Sequence, residues 1–216
     1  MSASAPALTE RLREGTRPLH RAAERAGVMR ALLAGTLDRA GYARLLRNLH
    51  ALYAALEDEL ERPRPSSPDL APLRLPTLYR TATLAADLDA LAPSAWRMLP
   101  LTAATVEYVT RLRAIGADDP ALLGAHAYVR YLGDLSGGQI LREIVRRAFA
   151  LPGATGTRFY AFEGDVATLK QQLRRALDGP AISPARHDAV VAEAQAGFAL
   201  HIRLFDELQG PAATPV

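Results

Sequence analysis

The chain has 216 residues, 49% hydrophobic and 23% charged, with no cysteine and a formal net charge of +3. That composition suits a globular chain of one domain or two small ones, and without cysteine it excludes disulfides, thiolate metal sites and cysteine nucleophiles together. The arginines are scattered and balanced by Asp and Glu, which argues against nucleic-acid binding, and no stretch reads as a signal peptide or approaches the roughly 18 apolar residues of a membrane span, so the expectation is a soluble cytoplasmic protein.

In chain order, the pattern is helical. Pro18 removes a helix donor, so the first helix either starts near Thr16 or kinks there. From Asp38 to Arg62 the residues Tyr42, Leu45, Leu46, Leu49, Leu52, Tyr53, Leu56 and Leu60 recur at three and four, one face of a long helix ended by Pro63, Pro65 and Pro68. A helix from Leu75 to Leu91 follows, with Leu78, Leu84, Ala85 and Leu88 inward. Thr102 caps a helix through Val106, Val109, Leu112 and Ile115, and Gly116 is its natural stop. The spacing predicts one helix from about Pro120 to Ala150, a break from Pro152 to Gly156, a helix from Asp165 to Leu177, and a last one capped at Ser183-Pro184. No strand alternation or internal repeat is found. The expectation is an all-α, single-domain multi-helix bundle over residues 1–209 with a flexible tail at 210–216. Bundles of this class bind ligands between facing helices.

Gly133, Gly137 and Gly138 interrupt the 120–150 helix, at roughly 1 kcal/mol each relative to alanine. Two readings stand. Either the glycines serve the helices themselves, letting two approach closely or ending one at Gly133 with the next beginning beyond Gly138, which the spacing alone favours, or they let a flat ligand lie against the backbone with the helix bent or unwound over it. The polar residues nearby shift the balance. Arg130 and Asp134 are four apart and share a helical face, close enough to hydrogen-bond, and Tyr128, Tyr131 and Ser136 add donors. A carboxylate buried beside glycines needs partners, and such a cluster can hold water.

The run Ala125-His-Ala-Tyr-Val-Arg-Tyr-Leu-Gly-Asp-Leu-Ser-Gly-Gly-Gln139 resembles the distal-helix signature of the biliverdin-forming heme oxygenases almost residue for residue. Leu19-His-Arg-Ala-Ala-Glu24 with Met29 resembles the family's proximal helix. Tyr53-Ala-Ala-Leu-Glu57, Phe159-Tyr-Ala-Phe, Leu169-Lys-Gln and Phe198-x-x-x-Ile-x-Leu-Phe205 follow in the family's order, so the likeness spans residues 8 to 209. It implies a bundle with heme sandwiched between a proximal N-terminal helix and a glycine-kinked distal helix. The implied iron ligand is His20. Glu24, one turn on, is placed to hydrogen-bond the other ring nitrogen and fix the tautomer. His50, His126 and His187 are left as ordinary surface or core residues. His201 shares the face of Phe198 and Phe205 and is expected to border the pocket without being the ligand. The heme propionates are assigned to Arg13, Lys170, the only lysine, Arg174 and Tyr128. Met29, Val129, Ser136 and Phe198 complete the implied pocket.

The resemblance also implies a reaction. Heme b is both cofactor and substrate. O2 binds its iron, electrons come from an external reductase, ferredoxin or flavodoxin, and an iron-bound hydroperoxide attacks a meso carbon to give biliverdin, by resemblance the IXα isomer, with CO and Fe2+. Asp134, with Arg130 and Tyr53, would hold a water that delivers protons. Gly133 and Gly137 would let the distal helix press on the heme face and set regiochemistry. An alternative is a non-catalytic heme sensor, carrier or storage protein, which would not need the Arg130 and Asp134 cluster. A thiaminase-like relative sharing the bundle would need the cysteine that is absent. The ending, without the membrane anchor of animal relatives, reads as a bacterial soluble enzyme. A monomer with no nucleic-acid partner and no membrane anchor, served by a redox partner protein, is expected.

Overall fold

Leucine and tyrosine at helical spacing create the core around one long helix. In the computed structural model, which describes residues 6–64, 70–93 and 95–209, Tyr42, Leu45, Leu46, Leu49, Leu52, Tyr53, Leu56 and Leu60 are each 4% exposed or less. They lie on α3 (Arg39–Glu61), which packs against α4 (Thr81–Leu91), α5 (Ala103–Asp118), α6 (Leu123–Ala127) and α9 (His187–Gln209). Burying each such side chain is worth about 1.5–3 kcal/mol, which outweighs any local propensity. α1 (Leu8–Arg25) and α2 (Gly27–Leu33) lie on α9, α7 (Gly133–Phe149) meets α2, and α8 (Val166–Leu177) touches both α1 and α7. No strand occurs among the described residues.

Local chemistry fixes most helix ends. Asp38 accepts from the Gly41 amide at 2.6 Å, Thr102 from Thr105 at 3.1 Å and Asp165 from Thr168 at 2.8 Å. Other expectations need correction. The segment 75–91 is not one helix: a 3-10 turn at Pro76–Leu78 precedes α4, and Ala85 is only half-buried. The Glu57 carboxylate accepts from the Arg80 and Thr81 amides at 2.6 and 3.3 Å, so α4 starts where a residue of α3 supplies its cap. Ser183 makes no side-chain cap, and a 3-10 turn at Pro184–Arg186 comes before α9. Gly116 does not stop α5, which runs to Asp118. A β-carbon there would stand 2.3 Å from the Glu59 carboxylate, so glycine is needed for close approach. The expected roles of Pro65, Pro68 and the 210–216 tail lie outside the described residues.

α1 runs unbroken through Pro18; the start near Thr16 is not found. Pro18 and Glu14 are both exposed, so the carbonyl that Pro18 cannot serve lies on the solvent side of the helix, where such a loss costs least. At the α1–α2 joint Gly27 has φ +26, and a β-carbon on it would lie 2.0 Å from the Phe205 carbonyl oxygen. That contact seats the joint directly on α9.

The single helix expected from 120 to 150 is four pieces: a 3-10 turn at Pro120–Leu122, α6, a π-helical turn at Tyr128–Leu132, and α7. The glycines are not where the helix opens. Gly133 has φ −61 and ψ −50, ordinary α geometry, and the widened turn lies just before it. Across from α7, the turn Arg158–Tyr160 is tied down by the Asp87 carboxylate, which accepts from the Arg158 and Phe159 amides at 2.9 and 2.8 Å.

Candidate active site

A cleft opens between α1, the π-turn and α7, in two lobes that share His20, Glu24, Val129, Gly133, Ser136 and Phe198. The inner lobe, about 340 Å³, is walled by apolar side chains including Met29, Leu45, Leu49, Phe159 and Phe205, with Arg130, Asp134 and His201 among its polar groups. The outer lobe, about 440 Å³, is lined by Arg13, Arg17, Arg21, Arg174 and Tyr128. Both volumes fall in the range of roughly 300–1,000 Å³ typical of small-molecule sites. Apolar inside and cationic outside, the cleft suits a flat apolar ligand with anionic arms.

The glycines sit in the wall, and the two readings of them separate. A β-carbon on Gly133 or Gly137 would meet nothing within 4 Å, whereas one on Gly138 would be in ordinary contact with Tyr160 at 3.6 Å. Close helix packing accounts for none of the space beside Gly133 and Gly137. That space is the cleft itself.

The polar cluster is built differently from the expected direct Arg130–Asp134 hydrogen bond. The two stand 3.6 Å apart, too long for one. The π-turn offsets the i,i+4 register that an α-helix would give. Both instead converge on Tyr53 from α3. Arg130 Nε and Nη2 donate to the Tyr53 hydroxyl oxygen at 3.1 and 3.0 Å, and that hydroxyl donates to Asp134 Oδ2. Burial pushes the Asp134 carboxyl up, opposed by the Arg130 charge, the Tyr53 hydrogen bond and Arg80. For Arg130, burial works against the cation, yet Tyr53 and Asp134 hold it above its ordinary range. The cluster is thus a shielded carboxylate, clamped by a fixed cation, at the polar end of an apolar cavity.

His20 lies on the exposed rim of both lobes with its ring edge-on to Phe198 at 6.1 Å. Glu24 Oε1 is 3.6 Å from Nδ1, nearer to an ion-pair contact than to the expected hydrogen bond. It still leaves Nε2 as the nitrogen turned away from Glu24. In the outer lobe, burial raises the Tyr128 hydroxyl, offset by a hydrogen bond with Thr16 and by the Arg13 and Arg174 charges. Lys170 is the exception among the expected rim residues: it lines neither lobe, and Arg17 and Arg21 do. The i+4 and i+8 spacing of Arg13, Arg17 and Arg21 was the signal for that arginine face. Sequence reasoning also gave His201 too little weight. It is 4% exposed, and Arg130 Nη1 lies 2.8 Å from its Nε2.

A helical bundle with a cleft of this polarity, a histidine on its rim and a shielded carboxylate within is a site for a large planar prosthetic molecule. The heme oxygenase family model matches residues 6–207. Heme oxygenase 1 of the cyanobacterium Nostoc sp. is 39% identical over 94% of this chain and 86% of its own length, and human heme oxygenase 1 is 40% identical over 94% and 72%. The crystal structure of heme oxygenase-1 from Synechocystis sp. in complex with heme superposes with a TM-score of 0.88 at 38% identity, covering 95% of this chain and 93% of that one. The chain belongs to the heme oxygenase family, enzymes that cleave heme. Among the described residues no helix is long and apolar enough to cross a membrane.

Proposed function

We propose that this chain binds heme in the cleft, with His20 as iron ligand, and cleaves it with O2 and externally supplied electrons to biliverdin, CO and Fe2+. The observation that carries the proposal is the open wall at Gly133 and Gly137, in a cleft that His20 also lines and that runs from an apolar lobe into an arginine-lined one. The residues fit the group. The apolar lobe would take the macrocycle, Arg13, Arg174 and Tyr128 would hold its carboxylate arms, and Met29, Val129, Ser136 and Phe198 would border it. Arg17 and Arg21 line that rim as well, beside the Lys170 that the resemblance assigns to it.

Heme bound there supplies the redox-active iron and the porphyrin carbon that is cut. The protein supplies position and protons. Glu24 beside Nδ1 leaves His20 Nε2 for coordination. The absent side chains at 133 and 137 allow the α7 backbone to lie close to the ligand face. Asp134, its carboxyl pushed up by burial, is the group in the cavity placed to take up and pass on a proton, and Tyr53 and Arg130 keep that carboxyl oriented. Phe159, Phe198 and Phe205 give the cavity apolar walls that would keep water from a ligand seated against them.

The core cluster formed by the described residues favours reading residues 1–209 as one domain. A cytoplasmic monomer with a reductase, ferredoxin or flavodoxin as electron donor completes the proposal. The relatives bear an enzyme's name, which favours turnover over a non-catalytic sensor, carrier or storage role. Hemin added to the pure protein is expected to give a histidine-ligated Soret band that His20→Ala abolishes, and ascorbate is expected to convert it to biliverdin. A spectrum indistinguishable from free hemin, or a stable Soret band under reductant and air, would overturn the proposal.

A further inference from the structure

His201 sits on α9, 4% exposed and bordering the inner lobe, and its hydrogen-bond partner is a cation. Arg130 Nη1 lies 3.1 Å from Nδ1 and 2.8 Å from Nε2. A guanidinium can only donate, so the imidazole must accept, and must be neutral to do so. Burial and the Arg130 charge both push its pKa well below the usual histidine value. Around the ring stand Phe205, edge-on at 4.3 Å, and Tyr108 at 6.4 Å. No carboxylate pairs with it among the described residues.

A neutral acceptor at this place has a consequence for Arg130. The guanidinium already spends Nε and Nη2 on the Tyr53 hydroxyl. A carboxylate at position 201 would take the fork in a bidentate pair and draw Arg130 away from Tyr53. An apolar side chain would leave Nη1 buried without a partner and the guanidinium free to swing. An imidazole fixes the third corner without competing for the charge. Tyr53, accepting from two sides, then has one direction left for its own hydrogen, and that direction is Asp134.

We propose that His201 is a positioning residue for the reaction: as a neutral acceptor it locks the Arg130 guanidinium, which aims the Tyr53 hydroxyl at Asp134. This rests on the role given above to Asp134 in heme cleavage. The chain of contacts spans α9, the π-turn, α3 and α7, so it ties the cleft's polar end to four separate elements.

The test compares His201→Leu, which removes the acceptor, with His201→Asn, which restores one. In the heme-free protein, the Arg130 Nε–H resonance, assigned by its loss in Arg130→Lys, reports the lock directly. His201→Leu is expected to speed its exchange with solvent by about tenfold or more, the size of one lost hydrogen bond to a charged group, and His201→Asn to stay within about threefold of wild type. With hemin, His201→Leu is expected to keep heme affinity within about threefold and to slow biliverdin formation by about tenfold, with His201→Asn recovering most of the rate. If His201→Leu does not fold, His201→Ala with added imidazole replaces it, and slowed Nε–H exchange on addition is the supporting result. Unchanged exchange in His201→Leu, no response of His201→Ala to imidazole, or an Asn variant as impaired as the Leu one overturns the proposal. If exchange responds as stated but the wild-type protein makes no biliverdin, heme cleavage fails as the function while His201's hold on Arg130 stands.

Discussion

Tyr53 donates its hydroxyl hydrogen to Asp134 across 81 positions of the chain, joining the middle of α3 to the first turn of α7. Tyr53 is wholly buried, and its ring lies under the Arg130 guanidinium at 5.1 Å. The carboxylate on the cleft wall is therefore held by a residue of the core.

Tyr53→Phe tests that hold. It keeps the ring packing and deletes the atom on which Arg130 and Asp134 converge, leaving buried polar groups short of partners. Unfolding free energy is expected to fall by about 1–3 kcal/mol in urea. Loss of the hydrogen bond also lets burial push the Asp134 carboxyl further up. Biliverdin yield per heme consumed is expected to drop several-fold while heme affinity is kept. An unchanged yield would show that Asp134 does not need Tyr53.

Gly133→Ala and Gly137→Ala should separate stability from function. Both positions lie in α7, and nothing stands within 4 Å of the added carbon. Each alanine is expected to stabilise the heme-free protein by about 0.5–1 kcal/mol, because glycine in a helix costs that much entropy. The same methyl group projects into the cleft, so heme affinity or turnover is expected to fall, and more steeply for Gly137→Leu. Thermal melts without heme and hemin titrations read the two effects apart. A variant that gains stability and binds heme as wild type does would show that the cleft wall at α7 is not the ligand's seat.

How much of this was legible in the sequence differs from residue to residue. The helices α3, α5 and α8 were expected close to where they lie, α3 and α5 from apolar residues at three and four and α5 also from Thr102 as its cap, because these are local signals; Asp38 and Asp165, where two of the helices were expected to start, turn out to be caps as well. The start of α4 was not legible, because its cap is Glu57 on another helix. The π-turn was invisible for a related reason: Tyr128 to Leu132 are unexceptional helix residues, and the extra residue in the turn is fixed by packing. The candidate site was legible where a residue type is chemically unusual in its place, as with glycines in a helix or an aspartate among them. His201 and the face of Arg13, Arg17 and Arg21 were harder to see. Their meaning depends on which side of the helix faces the cleft.

Gly27→Ala is expected to cost about 2 kcal/mol or more. Its φ of +26 disfavours a side chain, and the new carbon would stand 2.0 Å from the Phe205 carbonyl oxygen, a backbone atom that cannot swing aside. Phe205 borders the inner lobe, so a forced separation of the α1–α2 joint from α9 should also weaken heme binding. Urea unfolding and hemin titration of the variant check both. Stability within about 0.5 kcal/mol of wild type would be the contrary result, the range of a neutral surface change.

Acid sensitivity should trace to Glu193 on α9. Its carboxylate takes a bidentate pair from Arg111, Nε at 2.6 Å and Nη2 at 2.5 Å, and a hydrogen bond from His126 Nε2 at 2.8 Å. Tyr108 donates to the other ring nitrogen at 2.9 Å. Burial works to raise Glu193, but the hydrogen bonds from His126 and Arg111 prevail and hold it at about 2. Burial keeps His126 below the usual histidine pKa, so the ring is neutral and Arg111 is the charge that matters. Glu193's folded pKa lies below the unfolded value of about 4.3, so its contribution is complete above that pH and is lost as pH falls toward about 2. His126 acts in the same direction, beginning below about pH 6.5, where the unfolded chain takes up a proton that the folded ring refuses. Glu193→Gln removes the first effect and leaves the second. At pH 7 the variant is expected to be less stable by about 1–3 kcal/mol, the range for hydrogen bonds to a buried charge. In urea series at pH 7, 5, 4 and 3 the gap between the two proteins should close below about pH 4, as wild-type Glu193 begins to lose its advantage. A gap that stays constant to pH 3 would place the acid-sensitive group elsewhere.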